Sequence, residues 1–184
     1  MTKHIRFAFI LLAICALSAA ALAITNAITA PVIEIQEEEN RLAALKAVSS
    51  GFEIGDQEDI AGNAHVTFVI RLLDGERIGG YILGLKGAGY GGEMAIVASY
   101  TTDGEILRVQ LLSHSETPGL GKKAENEGYM DKYEGTGASE PVPTNKSMLS
   151  SGDAAAVSGS TVTFTAIAKA LEAGSVYAKE LGGK

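Results

Sequence analysis

The chain has 184 residues, 46% of them apolar and 20% charged, with a formal net charge of −7. That length suits one domain plus an extra segment, and an acidic balance with no basic stripe argues against a nucleic-acid partner. The single cysteine, Cys15, excludes an internal disulfide and any multi-cysteine metal or iron–sulfur centre.

Residues 5–24 read IRFAFILLAICALSAAALAI, with Arg6 their only charge. About 20 apolar residues in a helix cross the hydrocarbon core of a bilayer, so a membrane helix is predicted here. Lys3 and Arg6 precede it, and Glu34, Glu37, Glu38 and Glu39 follow. The positive-inside rule then puts the N-terminus in the cytoplasm and the main domain on the far side of the membrane. Beyond residue 24 the chain holds 13 basic against 22 acidic side chains, a net of −9. A cleaved signal peptide is the alternative, since Ala19, Ala20, Ala21 and Ala23 supply the small residues of a cleavage site. The run is longer than an ordinary signal core and passes into Thr25–Pro31 without a break, which favours a retained anchor. Ile14 stands before Cys15 where a lipoprotein signal has a small residue, so Cys15 reads as an apolar residue of the membrane helix.

Pro31 suits the first turn of a second helix. Val32, Ile35, Leu42 and Leu45 recur at helical spacing, and this helix should end near Ser49-Ser50-Gly51, with Glu37–Glu39 on a solvated face. Strand-like runs follow at 65–70, 79–84, 94–100 and 106–112. Asp74-Gly75 and Asp103-Gly104 are turn signals between them, so an antiparallel sheet is expected. Ile167, Leu171, Gly174, Ala178 and Leu181 then form one helical stripe in a helix entering at Thr165. Gly174 weakens that helix by ~1 kcal/mol relative to alanine but permits close packing on the sheet. Helix, strands and helices in that order indicate an α+β fold. The expected organisation is an anchor over 1–28, a connecting helix over 29–50 and an extracytoplasmic domain over 51–184.

Three loops stand out. Lys86–Glu93 carries Gly87, Gly89, Gly91 and Gly92 around Tyr90, which allows positive φ and close backbone approach to a phosphate or a flat ring. It does not join a parallel strand to a helix, so the dinucleotide fingerprint does not apply. The segment Ser113–Lys123, SHSETPGLGKK, follows directly on a strand. In it His114 and Glu116 sit on a loop stiffened by Pro118 and freed by Gly119 and Gly121. His114 could donate a proton or bind a metal, but no second histidine is placed to complete a metal site. The third loop, Val157–Thr163, is a hydroxyl-rich turn before a helix. By itself it is a helix cap; it also places a threonine hydroxyl where a helix N-terminus could hold a phosphate.

GAGYGG, a DG hairpin, HSETPGLG with its following lysines, and SGST before a C-terminal helix together resemble the FMN-binding G subunit of the Rnf electron-transport complex. The C subunit of the sodium-translocating NADH:quinone reductase is related. The resemblance runs over nearly the whole chain and includes the anchor with its NAITAPVI continuation. It implies covalent FMN, attached through its phosphate to a threonine by a flavin transferase that uses FAD. The family pattern is Asp, two residues, Ser or Thr, Gly, Ala, Thr. Its final threonine aligns with Thr161. Ser158 and Gly159 match, while Ser160 replaces the usual alanine and Ala155 stands at the aspartate position, with Asp153 two residues earlier. The implied cofactor-binding set is Thr161, Ser158, Gly159, Ser160 and Thr163, with Glu116, Thr117, Gly119, Leu120, Gly121, Tyr90 and Gly91 from the other two loops. Thr163 and Thr165 are read as helix caps or phosphate contacts. No side chain is assigned a catalytic role, because the redox chemistry belongs to the flavin. The implied partners are other membrane subunits of an ion-translocating, ferredoxin-linked redox complex. A scaffold subunit without flavin, motivated by Ala155 and Ser160, and a secreted free-standing flavoprotein are the alternatives.

Overall fold

The computed structural model describes residues 2–126 and 128–183. It divides into residues 1–41 and a compact unit over 42–184.

The first helix, α1, runs unbroken over Thr2–Val48 with Pro31 inside it. Pro31 therefore does not open a second helix, as its position in the sequence suggests; the helix passes through it. Proline removes one backbone donor and crowds the preceding turn. Upstream of it the hydroxyls of Thr25 and Thr29 donate to Ala21 O and Thr25 O, each at 2.9 Å. Prolines occur within apolar membrane helices where neighbouring groups and small backbone adjustments re-satisfy the freed backbone. Ile5, Phe7, Phe9, Leu11, Leu17 and Leu22 are all exposed. Among the described residues this is the one helix long and apolar enough to cross a membrane.

In the compact unit five antiparallel strands lie in sequence order: β1 (Glu53–Asp59), β2 (Val66–Asp74), β3 (Arg77–Ala88), β4 (Glu93–Thr101) and β5 (Ile106–Ser113). The Asp74–Gly75 signal makes a two-residue hairpin in which Asp74 pairs with Arg77 and Gly75 has φ +63°. The glycine loop is tighter than its sequence indicates. Gly87 and Ala88 still belong to β3, and only 89–92 turn, closed by Gly89 N–H donating to Gly92 O at 2.8 Å.

β3 and β4 are buried on both faces. Tyr81, Leu83 and Leu85 alternate with Ile82, and Met94, Ile96, Ala98 and Tyr100 with Val97. A strand has a side-chain period of two, so these two sets face opposite layers. One layer is the C-terminal helix α3 (Thr161–Gly182), which brings Phe164, Ile167, Ala168, Leu171 and Ala178 onto the sheet. The other is the end of α1, where Ala44, Leu45 and Val48 meet Ile70, Leu72, Ile82 and Val97. This is the α+β arrangement, with an antiparallel sheet and helices.

Between β5 and α3 the chain forms short 3-10 turns at Gly121–Glu125, Asp131–Tyr133 and Lys146–Met148, and a six-residue helix α2 (Ser151–Ala156). This long connection is fastened to α3 by Tyr133. Its ring stacks on Phe164 with centroids 5.6 Å apart, and its hydroxyl donates to Phe164 O at 3.1 Å.

Candidate functional site

The site is built around the first turn of α3. The helix begins at Thr161, four residues before the expected entry at Thr165. Ser160 is its N-cap residue, but its hydroxyl does not cap; it donates back to Val157 O at 3.1 Å. That leaves the first-turn N–H groups of α3 without a side-chain cap, the condition under which a helix start attracts anions. Thr161, the first helical residue, is exposed. Gly159, with φ +84°, makes the turn that delivers the chain to it. Lys123 braces this turn: its Nζ donates to Ser158 O at 2.8 Å. Behind it the buried Tyr129 hydroxyl faces Ser160 without meeting a partner at hydrogen-bond geometry, and burial pushes its pKa up.

Thr163 and Thr165 are helix caps or phosphate contacts in the sequence reading, and the structure corrects the capping role for both. They lie inside α3. Thr163 is buried and its Oγ1 donates to Glu116 Oε2 at 2.6 Å. Glu116 in turn is 4% exposed, and its Oε1 accepts from Gly91 N–H at 2.9 Å. One carboxylate thus ties together the glycine hairpin, the ETPGLG loop and the start of α3. Two glycines make this possible. A Cβ at Gly89 would overlap Glu116 Oε1, and one at Gly121 would overlap Oε2.

These segments enclose a cavity of about 290 Å³, near the lower end of the roughly 300–1,000 Å³ usual for small-molecule sites. One wall is Tyr90, Glu116, Thr117, Leu120 and Gly121; the other is residues 159–163. Nine of the twelve residues singled out from sequence line it. The other three act from behind: Ser158 through its carbonyl to Lys123, Gly91 through its N–H to Glu116, and Gly119 as a turn with φ +77°. The cavity rim is apolar, with Tyr90, Leu120 and Val162 exposed by 76%, 48% and 54%. Small backbone walls, an apolar rim and a hydroxyl at a helix start fit a flat aromatic ring tethered through a phosphate. The residues that sequence reasoning missed are Lys123 and Gly89, whose roles depend on contacts 35 and 27 positions away.

His114 lies outside the cavity, in a larger cleft of about 670 Å³ along β5. Its Nδ1 accepts from Glu116 N–H at 3.1 Å, so the proton is on Nε2, which contacts Glu125 Oε1 at 2.7 Å. His114 therefore orients the backbone of Glu116 and points away from the cavity.

Residues 89–175 match the FMN-binding domain family, and residues 1–48 match the RnfG N-terminal region. The chain is accordingly an FMN-binding-domain protein with an apolar N-terminal helix. It is 30% identical over 177 residues to the G subunit of the Na(+)-translocating ferredoxin:NAD(+) oxidoreductase complex of Acetobacterium woodii, covering 88% of this chain and 85% of the relative. The G subunit of the ion-translocating oxidoreductase complex of Methanosarcina acetivorans is 27% identical over 170 residues, 89% of this chain and 88% of the relative. That of Stutzerimonas stutzeri is 30% identical over 166 residues, 85% and 72%. The chain belongs to the family of G subunits of the ion-translocating oxidoreductase complexes.

Proposed function

We propose that this chain is the membrane-anchored flavoprotein subunit of an ion-translocating ferredoxin:NAD oxidoreductase complex, with FMN joined to Thr161 Oγ1 and electrons relayed through it between neighbouring subunits. The observation that carries this reading is the exposed Thr161 hydroxyl, first in α3 and at the mouth of the cavity. Thr163, by contrast, is buried and engaged with Glu116.

Attachment requires a flavin transferase and FAD. The Thr161 oxygen attacks the phosphorus on the FMN side of the pyrophosphate, that P–O–P bond breaks, AMP leaves and the hydroxyl proton is lost. The product phosphoester keeps a negative charge, which the first-turn N–H groups of α3 and the Lys123 ammonium favour. When bound, FMN supplies the one- and two-electron chemistry. The protein's part is to tether the phosphate, hold Tyr90 and Leu120 at the rim, and exclude water along the glycine walls. The charge pattern around the apolar helix supports a cytoplasmic N-terminus and an extracytoplasmic domain.

The test is co-expression with a flavin transferase, a denaturing gel viewed under ultraviolet light, and the mass of the peptide holding Thr161. A fluorescent band that disappears in Thr161→Val is the expected result. A dark wild-type band would instead favour the scaffold reading, for which Ala155 is the motive, and fluorescence surviving Thr161→Val would overturn the assignment of the residue.

A further inference from the structure

We infer that Glu116 sets the redox poise of the flavin: its carboxylate is a buried negative charge at the cavity wall that lowers the midpoint potential of the bound cofactor. This role rests on FMN being held at Thr161.

Glu116 is 4% exposed and lines the same cavity as Thr161. Buried carboxylates are ordinarily paired with a cation. Among the described residues, Glu116 has none. Its partners are neutral: Gly91 N–H on Oε1 at 2.9 Å and the Thr163 hydroxyl on Oε2 at 2.6 Å. Both carboxyl oxygens thus find partners without a counter-cation. These two partners and the positive end of α3, in whose first turn Thr163 lies, face the carboxylate. Gly89 and Gly121 close the backbone against the two oxygens, where any side chain would overlap them.

A fixed negative charge with few screening groups acts strongly on its surroundings, because the effective dielectric constant inside a protein is far below that of water. An electron arriving on a flavin in this cavity meets that charge. Reduction is made less favourable, so the potential falls. The hydrogen bonds alone do not require an acid here: a glutamine oxygen could accept from Gly91 N–H, and its amide could donate to the Thr163 hydroxyl. The charge is what distinguishes glutamate.

The experiment uses the full chain, loaded by a flavin transferase in membranes, with loading checked by intact mass. Midpoint potentials are measured by spectroelectrochemistry for wild type, Glu116→Gln and Glu116→Asp. The expected result is a positive shift in Glu116→Gln and a potential close to wild type in Glu116→Asp. An unchanged or more negative potential in Glu116→Gln overturns the role. Should Glu116→Gln fail to fold or load, the wild type decides by reduced-minus-oxidised infrared difference spectra with 13C-labelled glutamate. A carboxylate band that moves with the label supports the role; a protonated carboxyl band, or no glutamate band, overturns it. A wild type that takes up no flavin overturns the Thr161 reading itself, and this role with it.

Discussion

The hydroxyl of Tyr100 lies against the α-carbon of Gly174, closer than a methyl group there would allow, and donates to Leu171 O at 3.1 Å. The β4 strand and α3 meet at this point. Gly174→Ala should raise helix propensity by ~1 kcal/mol. It also forces Tyr100 to move, and overpacking costs ~1–3 kcal/mol, with the buried hydroxyl losing its partner for ~1 kcal/mol more. The expected net effect is destabilisation of about 1–3 kcal/mol, read as a lower urea midpoint for the domain.

Tyr133 gives the domain an alkaline limit. Burial, with a smaller contribution from Tyr129, pushes its pKa far above the ordinary value of 10.0. Burial raises Tyr100 in the same direction. In the folded state both phenols stay neutral, while in the unfolded state they ionise near their ordinary value. The unfolded chain therefore binds fewer protons above that value, and stability falls as pH rises. Denaturation curves should be flat in this respect below about pH 9 and fall beyond about pH 10. Tyr133→Phe loses the bond to Phe164 O, at ~1 kcal/mol, but should narrow its deficit against wild type above about pH 10. A deficit that stays constant from about pH 8 to about pH 11 would contradict the assignment.

Lys123 braces the turn before Thr161 through Ser158 O. It is solvated, so its loss should cost the fold under ~1 kcal/mol. Its effect on loading should be larger than its effect on stability, because the turn and the incoming phosphate both lose a cation. Lys123→Met is expected to slow flavin attachment about five-fold, the equivalent of ~1 kcal/mol in a barrier. Intact-mass time courses with a flavin transferase measure this directly.

Ala155 is exposed in α2, and its carbonyl accepts from Ser158 N–H at 3.1 Å. Asp153, two residues earlier, accepts from Ser150 Oγ at 2.7 Å and its N–H returns to the same oxygen, which caps α2. Ala155→Asp should leave stability within ~0.5 kcal/mol and speed flavin attachment. An unchanged rate would mean that the transferase does not read this position in this chain.

Much of the sheet was legible because β-branched and aromatic runs alternate with Asp-Gly turns. The Gly174 stripe also showed which face of α3 packs on it. β1 was not legible. Its sequence, EIGDQED, has no apolar alternation and is mostly exposed; backbone pairing with β2 and the Arg71–Glu58 ion pair at 2.8 Å hold it in place. The start of α3 was placed too late because Thr163 and Thr165 read as caps, whereas both lie inside the helix and the Thr163 hydroxyl donates to Glu116 Oε2. The candidate site was largely visible as loops, but the burial of Glu116 was not. An acid among prolines and glycines reads as solvated, and only contacts 25 and 47 positions away enclose it.

Those same separations impose an order on maturation. The walls of the cavity come from residues 90–121 and 159–163, and Glu116 cannot close it until Thr163 has been synthesised and α3 has docked. The residues that dock α3 on the sheet run on to Ala178, near the helix end at Gly182, so a nascent polypeptide short of that point has no pocket to offer. The site to which the flavin is assigned in the proposed function is thus complete only once α3 has docked on the sheet.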